Sequence, residues 1–195
     1  MKISIGAKTI AHPHPAFIVG SYTKEGKANM MAAAWGGICC SRPPCIAISL
    51  RKATLTYHNI MHHKAFTINI PSSKFIKEVD YVGIYSGKNT DKFADTGLTP
   101  VKSDLVNAPM VEEFPYSLEC KLIKTTDLGL HTQFIGEILD IKADKEILTG
   151  GEPDIEKVKP LIYASGTNRA YYTISAKLSD AFSAGKNLKK KTHHK

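Results

Sequence analysis

Hydroxyl and cationic side chains cluster where an apolar segment ends and a predicted helix begins. Ser49, Leu50 and Arg51 close that segment, and Thr54 and Thr56 follow shortly after it. The free N–H groups and the dipole of a helix N-terminus attract anions, and an arginine can hold two phosphate oxygens at once. The pattern indicates a phosphate site, although a capped helix beside a solvated arginine fits the same residues.

A second polar segment, Ser86–Phe93, is rich in turn-forming residues and precedes another predicted helix. Its backbone N–H groups, the hydroxyl of Ser86 and the ammonium of Lys92 could bind the same anion. A surface loop followed by a helix cap is the alternative interpretation. Taken alone, this segment favours the loop.

Small residues and one aromatic residue make up the segment Asn29–Gly37. Ala33, Ala34 and Gly36 would let a flat ligand approach the backbone closely, and Trp35 could lie along an aromatic ring system. A glycine bulge beside a tryptophan in the core explains the segment equally well.

The arrangement of the histidines and the absence of nucleotide-binding and hydrolase motifs argue against metal, NTPase and hydrolase chemistry. His131 stands at the start of a predicted strand, where a single histidine is more often structural than catalytic. The remaining histidine pairs have no acidic or cysteine partners at metal-site spacing, so we predict no metal site. The sequence contains no P-loop, no G-x-G-x-x-G and no nucleophile elbow, which leaves NTPase, Rossmann and hydrolase functions without support.

The four cysteines predict no disulfide framework and no zinc site. Cys39, Cys40 and Cys45 are crowded into seven residues, and Cys120 is far away. Neighbouring side chains on a strand point to opposite faces, so Cys39 and Cys40 could not readily share a ligand. We expect buried free thiols in a reducing compartment.

Length and charge predict one domain and a basic tail. The chain has 195 residues, is 43% hydrophobic and carries a net charge of +8. We expect a single domain over residues 1–185 and a basic, disordered tail over residues 186–195. Basic residues are not interleaved with aromatic ones elsewhere, which makes nucleic acid an improbable partner. Because there is no transmembrane run and no secretory signal, we predict no membrane association and a cytoplasmic location.

The predicted elements that would position these side chains are mostly strands. Alternating or continuous apolar segments predict strands at Ala16–Thr23, Asn29–Ala34, Cys45–Leu50, Ala65–Ile70, Ser117–Lys124, His131–Ala143, Leu161–Ala164 and Ala170–Ile174. Gly136 is a predicted bulge or point of close approach. Helices are predicted at Leu55–Lys64 with Thr54 as cap, at Lys74–Tyr81, and at Asp91–Thr96 with Thr90 as cap and Gly97 at the end. The expected fold is mainly β, a β-barrel with inserted helices.

An ordered set of short motifs resembles the flavin reductase-like family, in particular its flavoredoxin-like branch. The resemblance runs from Pro15 to Tyr172. The motifs are Asn29-x-Met-x-Ala-Ala-Trp, Arg42-Pro-Pro, Ile48-Ser-Leu-Arg, Phe66-x-x-Asn-Ile-Pro, Ser86-Gly, Asp91-Lys-Phe, Thr96-Gly-Leu-Thr, Gly129-x-His and Ile135-Gly-Glu.

The resemblance implies a Greek-key-like split β-barrel that binds FMN at the interface of a homodimer. By position, Asn29 and the segment 33–36 would line the flavin, and residues 49–51 would contact its polar edge and ribityl chain. Arg51, Thr54, Thr56, Ser86 and Lys92 would serve the phosphate. His131 matches a histidine associated with nicotinamide, but Leu130 replaces the acidic residue of the family's Gly-Asp-His motif.

The implied function is redox chemistry, with electrons passing from NAD(P)H through FMN to free flavin, ferric iron or a protein acceptor. The alternative is an FMN electron carrier that serves a redox partner protein and oxidises little NAD(P)H. The leucine at position 130 favours the carrier slightly.

Overall fold

Antiparallel strands dominate the computed structural model, which describes residues 1–186 and residue 188. In chain order the strands are β1 (His14–Pro15), β2 (Phe17–Tyr22), β3 (Ala28–Ala33), β4 (Gly36–Ser41), β5 (Pro44–Arg51), β6 (Ala65–Ile70), β7 (Pro100–Lys102), β8 (Pro109–Val111), β9 (Tyr116–Asp127), β10 (His131–Ala143), β11 (Leu148–Thr149), β12 (Glu152–Pro153), β13 (Leu161–Ala164) and β14 (Ala170–Thr173). The helices are α1 (Leu55–His63), α2 (Ile76–Ile84), α3 (Lys92–Thr96) and α4 (Ile155–Val158). The mainly β class with inserted helices is confirmed.

Seven of the strands form one sheet in the order β3-β2-β6-β9-β10-β5-β4. Its main core cluster includes Ile48, Phe66 and Phe134, each with no exposed side-chain surface. A second cluster packs α2 and α3 against β2 and β3, where Val79 and Phe93 are buried. The apolar positions that predicted the strands are therefore the residues that form the core.

Gly136 lies at a shift in the register between β9 and β10, as predicted. A Cβ at this position would come within 2.5 Å of the Phe66 ring, so a larger side chain would displace a core aromatic residue. The glycine is required by close packing.

All three predicted helices are present, but their ends differ from the prediction, most of all in α2, which continues to Ile84 instead of ending at Tyr81. Thr54 caps α1, and its side chain accepts a hydrogen bond from the Tyr57 N–H. The α2 helix begins at Ile76 because residues 73–75 form a 3-10 turn first. The cap predicted at Thr90 is wrong: Asp91 accepts from Ala94 N at 3.2 Å, while the Thr90 hydroxyl donates to the Ser86 carbonyl.

Strand β4 was not predicted, and it corrects two interpretations of the sequence. Cys39 and Cys40 lie on β4 and are exposed, so the expectation of buried thiols holds only for Cys45 and Cys120. Trp35, immediately before β4, is 37% exposed, so it is not a tryptophan of the core.

A smaller sheet in the order β1-β13-β14 joins the N-terminal and C-terminal parts of the chain. The prediction of one domain over residues 1–185 stays a prediction. The predicted disordered tail lies outside the described residues except for Lys186 and Leu188. Across the described ranges, no helix is both long and apolar enough to span a membrane.

Candidate cofactor site

Three adjoining cavities share Ala32, a small residue of β3. We name them the polar, aromatic and hairpin cavities. The polar cavity, of about 300 Å³, is lined by residues including Asn29, Arg51, Thr54, Thr56, Ser86 and Lys92. The aromatic cavity, of about 440 Å³, is lined by residues including Ala33, Ala34, Trp35, Ser49, Arg51 and His131. The hairpin cavity, of about 380 Å³, is lined by residues including Val79, Gly83, Tyr163, Arg169 and Tyr171.

Lys92 brings a buried ammonium group to the polar cavity. Its side chain is 5% exposed, and Nζ donates to the carbonyl oxygen of Val82, in the last turn of α2, at 2.8 Å. Burial penalises the charged form and lowers the pKa of Lys92 to about 8. An anion bound in the cavity would restore the electrostatic stabilisation that this ammonium loses on leaving water.

Arg51 adds a second positive charge from the end of β5. Its side chain is exposed and lines both the polar and the aromatic cavity. Among the described residues, no carboxylate lies within 4.0 Å of Arg51 or Lys92. Asp91, the residue before Lys92, instead pairs with Lys27 at 3.0 Å. Both cations therefore remain available to a ligand.

The hydroxyl groups at the start of α1 have different tasks. Thr54 Oγ1 donates to the Arg51 carbonyl at 2.9 Å and caps the helix, so the structural interpretation of this residue is confirmed. Thr56 is buried, and its Oγ1 accepts from Asn29 Nδ2 at 3.0 Å. Because Thr56 accepts this bond, its own hydrogen can be directed to a ligand. The first turn of α1 contains no acidic side chain that would repel an anion.

Gly87 completes the wall beside Asn29. A Cβ at Gly87 would collide with the Oδ1 atom of Asn29 and crowd the Leu55 side chain. The neighbouring Ser86 is exposed, and its hydroxyl accepts from the Lys88 N–H at 3.3 Å. The loop after α2 therefore packs tightly on β3 and keeps the Ser86 hydroxyl at the surface of the cavity.

The aromatic cavity combines small side chains with two rings in tilted contact. The rings of Trp35 and His131 have centroids 4.7 Å apart and planes inclined by 48°. Ser49 N donates to the Trp35 carbonyl at 2.9 Å and so ties the tryptophan segment to β5. Ala33 and Ala34 line the same cavity with minimal side chains. A planar ring of moderate polarity fits such a space.

The hairpin cavity contains residues that the sequence did not identify as part of a site. Strands β13 and β14 bring Tyr163, Arg169 and Tyr171 against the alanines of β3. The Tyr171 hydroxyl donates to Asp80 at 3.1 Å, and burial together with this bond raises the pKa of Tyr171 to about 12. Arg169 follows a polar turn between two short strands, and a cation beside such a turn is the signal that could have identified it.

Most of the predicted site residues meet around these cavities, but two do not line them. Gly36 turns its Cα toward the interior, where a Cβ would lie 2.7 Å from the Ala47 carbonyl oxygen. The Leu50 side chain is 1% exposed and belongs to the core, so only its backbone is available to a ligand.

The loop between β9 and β10 leads directly into His131, which lines the aromatic cavity. Leu128 and Leu130 are 60% and 65% exposed there. Asp127 pairs with Lys52 and accepts the Gly129 N–H at 2.8 Å. The acidic group of this loop therefore lies before the glycine, and an apolar side chain directly precedes the histidine.

Comparisons with known proteins agree with this geometry. A family model described as a flavin reductase like domain matches residues 9–174. The flavoredoxin of Desulfovibrio vulgaris (Miyazaki F) is 55% identical, with a TM-score of 0.90 over 95% of this chain and 100% of that one. The flavoredoxin from Methanosarcina acetivorans is 31% identical, with a TM-score of 0.91 over 96% and 99%. A ferric-chelate reductase (NAD(P)H) of Archaeoglobus fulgidus is 26% identical over 56% of this chain and 65% of that protein.

Proposed function

Because the chain belongs to the flavin reductase-like family, we propose that it is an FMN-dependent oxidoreductase. It passes electrons from NAD(P)H through FMN to free flavin, ferric iron or a protein acceptor. The observation that carries this proposal is the junction of the polar and aromatic cavities at Arg51 and Thr54. The polar cavity suits the phosphate of FMN, and the aromatic cavity suits its flat ring.

The polar cavity supplies the phosphate partners. Arg51 and Lys92 provide charge, and the Thr56 hydroxyl and the N-terminus of α1 provide hydrogen-bond donors. Thr54 acts chiefly by holding the helix start in place, and Ser86 adds an exposed hydroxyl. Bound FMN would supply the hydride and electron chemistry.

The aromatic cavity positions the ring. The alanines at 33 and 34 allow close approach, and Trp35 limits the space beside them. In this proposal Ser49, the backbone at Leu50 and the Arg51 guanidinium would face the polar edge of the ring and the ribityl chain. Asn29 holds Thr56 through its amide, which fixes the orientation of the hydroxyl. His131, whose ring lies tilted against Trp35, would lie on the side where nicotinamide approaches.

An electron carrier with little NAD(P)H oxidation is the second candidate, and one observation favours it. Leu130 is 65% exposed where the family's motif has an acidic residue beside the histidine. An exposed apolar side chain at the rim of a redox site suits contact with a protein surface. The two candidates share the FMN site and differ in the electron donor.

The test begins with the visible spectrum of the desalted protein after incubation with FMN. A retained two-band flavin spectrum is expected, and Arg51→Ala should weaken FMN affinity by about tenfold, the lower range for a hydrogen bond to a charged group. Arg42→Ala, in the turn between β4 and β5, is the matched control and should leave FMN affinity unchanged. A protein that retains no FMN, or equal affinity in both variants, would contradict the phosphate assignment.

The electron donor is then tested by mixing the FMN-loaded protein with NADH or NADPH. Steady oxidation with free flavin present supports the reductase. Absence of oxidation, while a reduced protein carrier still bleaches the flavin, supports the electron carrier.

We further propose that the site is shared in a homodimer, so light scattering should give twice the chain mass, and a monomer mass would contradict it.

A further inference from the structure

The hairpin of β4 and β5 places two cysteines directly opposite each other. Cys40 on β4 pairs with Cys45 on β5, next to the turn that begins after Ser41. Cys40 is exposed, whereas Cys45 is 2% exposed. One thiol is therefore open to reagents in solution, and its partner is protected from them.

The spacing of this pair suits a disulfide. Opposed residues of antiparallel strands have Cα atoms about 4.5–5.5 Å apart, and disulfides form at Cα separations of about 4.4–6.8 Å. Both thiols donate to carbonyl groups of the same turn: Cys40 donates to the Arg42 carbonyl at 3.4 Å, and Cys45 donates to the Pro43 carbonyl at 3.3 Å.

Cys39 differs from Cys40 although it is its neighbour and is equally exposed. The register of β4 shifts between Ile38 and Cys40, so Cys39 is the extra residue of a bulge and has no opposed partner on β5. In the described part of the chain, no group of three or more histidine, cysteine or acidic side chains is arranged to hold a metal ion. The geometry favours a pair of thiols over a metal centre.

We propose that Cys40 and Cys45 form a dithiol site that a small-molecule disulfide oxidises to an intramolecular disulfide. The Cys40 thiolate attacks the reagent RSSR, forms a mixed disulfide Cys40–S–S–R, and releases one RS⁻. The Cys45 thiolate then attacks the Cys40 sulfur and releases the second RS⁻. The two cysteines lose two electrons to the reagent, and their two protons appear on two molecules of RSH.

Exposure determines the order of these steps. Cys40 meets the reagent first because Cys45 is covered by protein. Burial and the neighbouring thiols raise the pKa of Cys45, so it remains protonated and inert toward outside reagents. Once Cys40 carries the mixed disulfide, proximity compensates for the low thiolate fraction of Cys45.

The experiment treats the full-length protein with glutathione disulfide and follows intact mass and free thiols. The chain begins with four free cysteines, and we expect Cys40 and Cys45 to lose two thiols and two hydrogen masses, with no glutathione retained on either of them. Because Arg42 precedes Pro43, trypsin leaves the three clustered cysteines on one peptide. Alkylation of the remaining thiol followed by fragmentation should show Cys39 labelled and Cys40 linked to Cys45.

Three variants make the result decisive. Cys45→Ser should stop at one glutathione on Cys40, Cys40→Ser should form no internal disulfide, and the matched control Cys39→Ser should still form it. Cys40→Ser changes an exposed residue and so tests the proposal even if the Cys45 variant fails to fold. A wild-type protein that retains glutathione on Cys40, links Cys39 to Cys45, or forms only disulfides between chains would overturn the proposal.

Discussion

Two lysines of this protein occupy opposite electrostatic surroundings. Lys92 is buried, donates to one backbone carbonyl, and has a pKa lowered to about 8 by burial. Lys142 is 39% exposed in its side chain, and its Nζ lies 2.8 Å from Asp104, 2.9 Å from Asp140 and 3.9 Å from Glu119. Hydrogen bonds to Asp104 and Asp140 raise the pKa of Lys142.

The difference separates a cation that stabilises the fold from one that we propose binds a ligand. The ammonium of Lys142 is fully engaged by carboxylates of its own chain, and it is the nearest cation to the buried Glu119. The ammonium of Lys92 is desolvated without a carboxylate among the described residues, which costs stability in the absence of a ligand. Such a cost is expected where a site is organised in advance for an anion.

Lys92→Met should have the largest effect, lowering FMN affinity by about tenfold to a hundredfold. The reason is the loss of one charge-assisted hydrogen bond of about 1.5–3 kcal/mol. Fluorescence titration of FMN into the ligand-free protein measures it. The free energy of unfolding without FMN should stay equal or rise, because a poorly solvated charge is removed.

A pH titration tests the same cation without changing the chain. A bound phosphate favours the protonated form of Lys92, so binding above pH 8 requires uptake of a proton. We therefore expect FMN affinity to be nearly constant from pH 7 to 8 and to fall by up to about tenfold per unit above that. The Lys92→Met profile should lack this fall; equal slopes in both proteins would assign it to another group.

The same shift predicts the stability of the ligand-free protein. In the unfolded chain Lys92 has its usual pKa of 10.5, and in the folded protein its pKa is about 8. Between these values the unfolded state binds more protons, so this group makes unfolding less favourable as pH rises from 8 to 10.5. Chemical denaturation of the wild type and of Lys92→Met between pH 8 and 10.5 isolates the contribution of Lys92 to the free energy of unfolding.

The local pattern of apolar residues predicted most strands of the sheet, because the residues that make up this pattern are the ones buried in the core. β6 and β10 have the predicted bounds, since alternating apolar residues such as Phe66 and Ile68 do face the core. β4 was missed because its two glycines and its exposed cysteines lack a buried apolar pattern. It forms by pairing with β5, an interaction that residues 36–41 alone do not specify.

Local pattern alone predicted only one segment of the candidate site, and the family resemblance added the residues of the other segments. Arg51, Thr54 and Thr56 could be identified because a strand end and a helix start are adjacent in the chain. The burial of Lys92 depends on the packing of α2 and α3 against β3, and Arg169 reaches the cavities through strands far away in sequence. The acidic partners of Lys142 come from three separate segments, which no local pattern connects.

Lys142→Met should have the opposite effect to Lys92→Met. It should lower the free energy of unfolding, because Asp104 and Asp140 lose the ammonium group to which they are hydrogen-bonded and the buried Glu119 side chain loses its nearest cation. Chemical denaturation measures the loss. FMN affinity should be unchanged, and Lys124→Met, an exposed lysine on β9, should be close to neutral. Weaker FMN binding in Lys142→Met would remove the distinction between the two lysines.

The smallest expected effect is the coupling between Lys142 and Glu119. Asp104 and Asp140 hold the ammonium at hydrogen-bond distance, whereas Glu119 Oε1 is 3.9 Å away and its other oxygen accepts from Leu105 N at 2.7 Å. A double-mutant cycle of Lys142→Met and Glu119→Gln should therefore give a coupling energy that is smaller than the loss of unfolding free energy in Lys142→Met alone. Strict additivity would mean that Lys142 serves the two aspartates alone, and that Glu119 is stabilised by the Leu105 amide without a cation. The contrast with Lys92 would then be between a cation that is paired at the surface and a buried cation that has no carboxylate partner among the described residues.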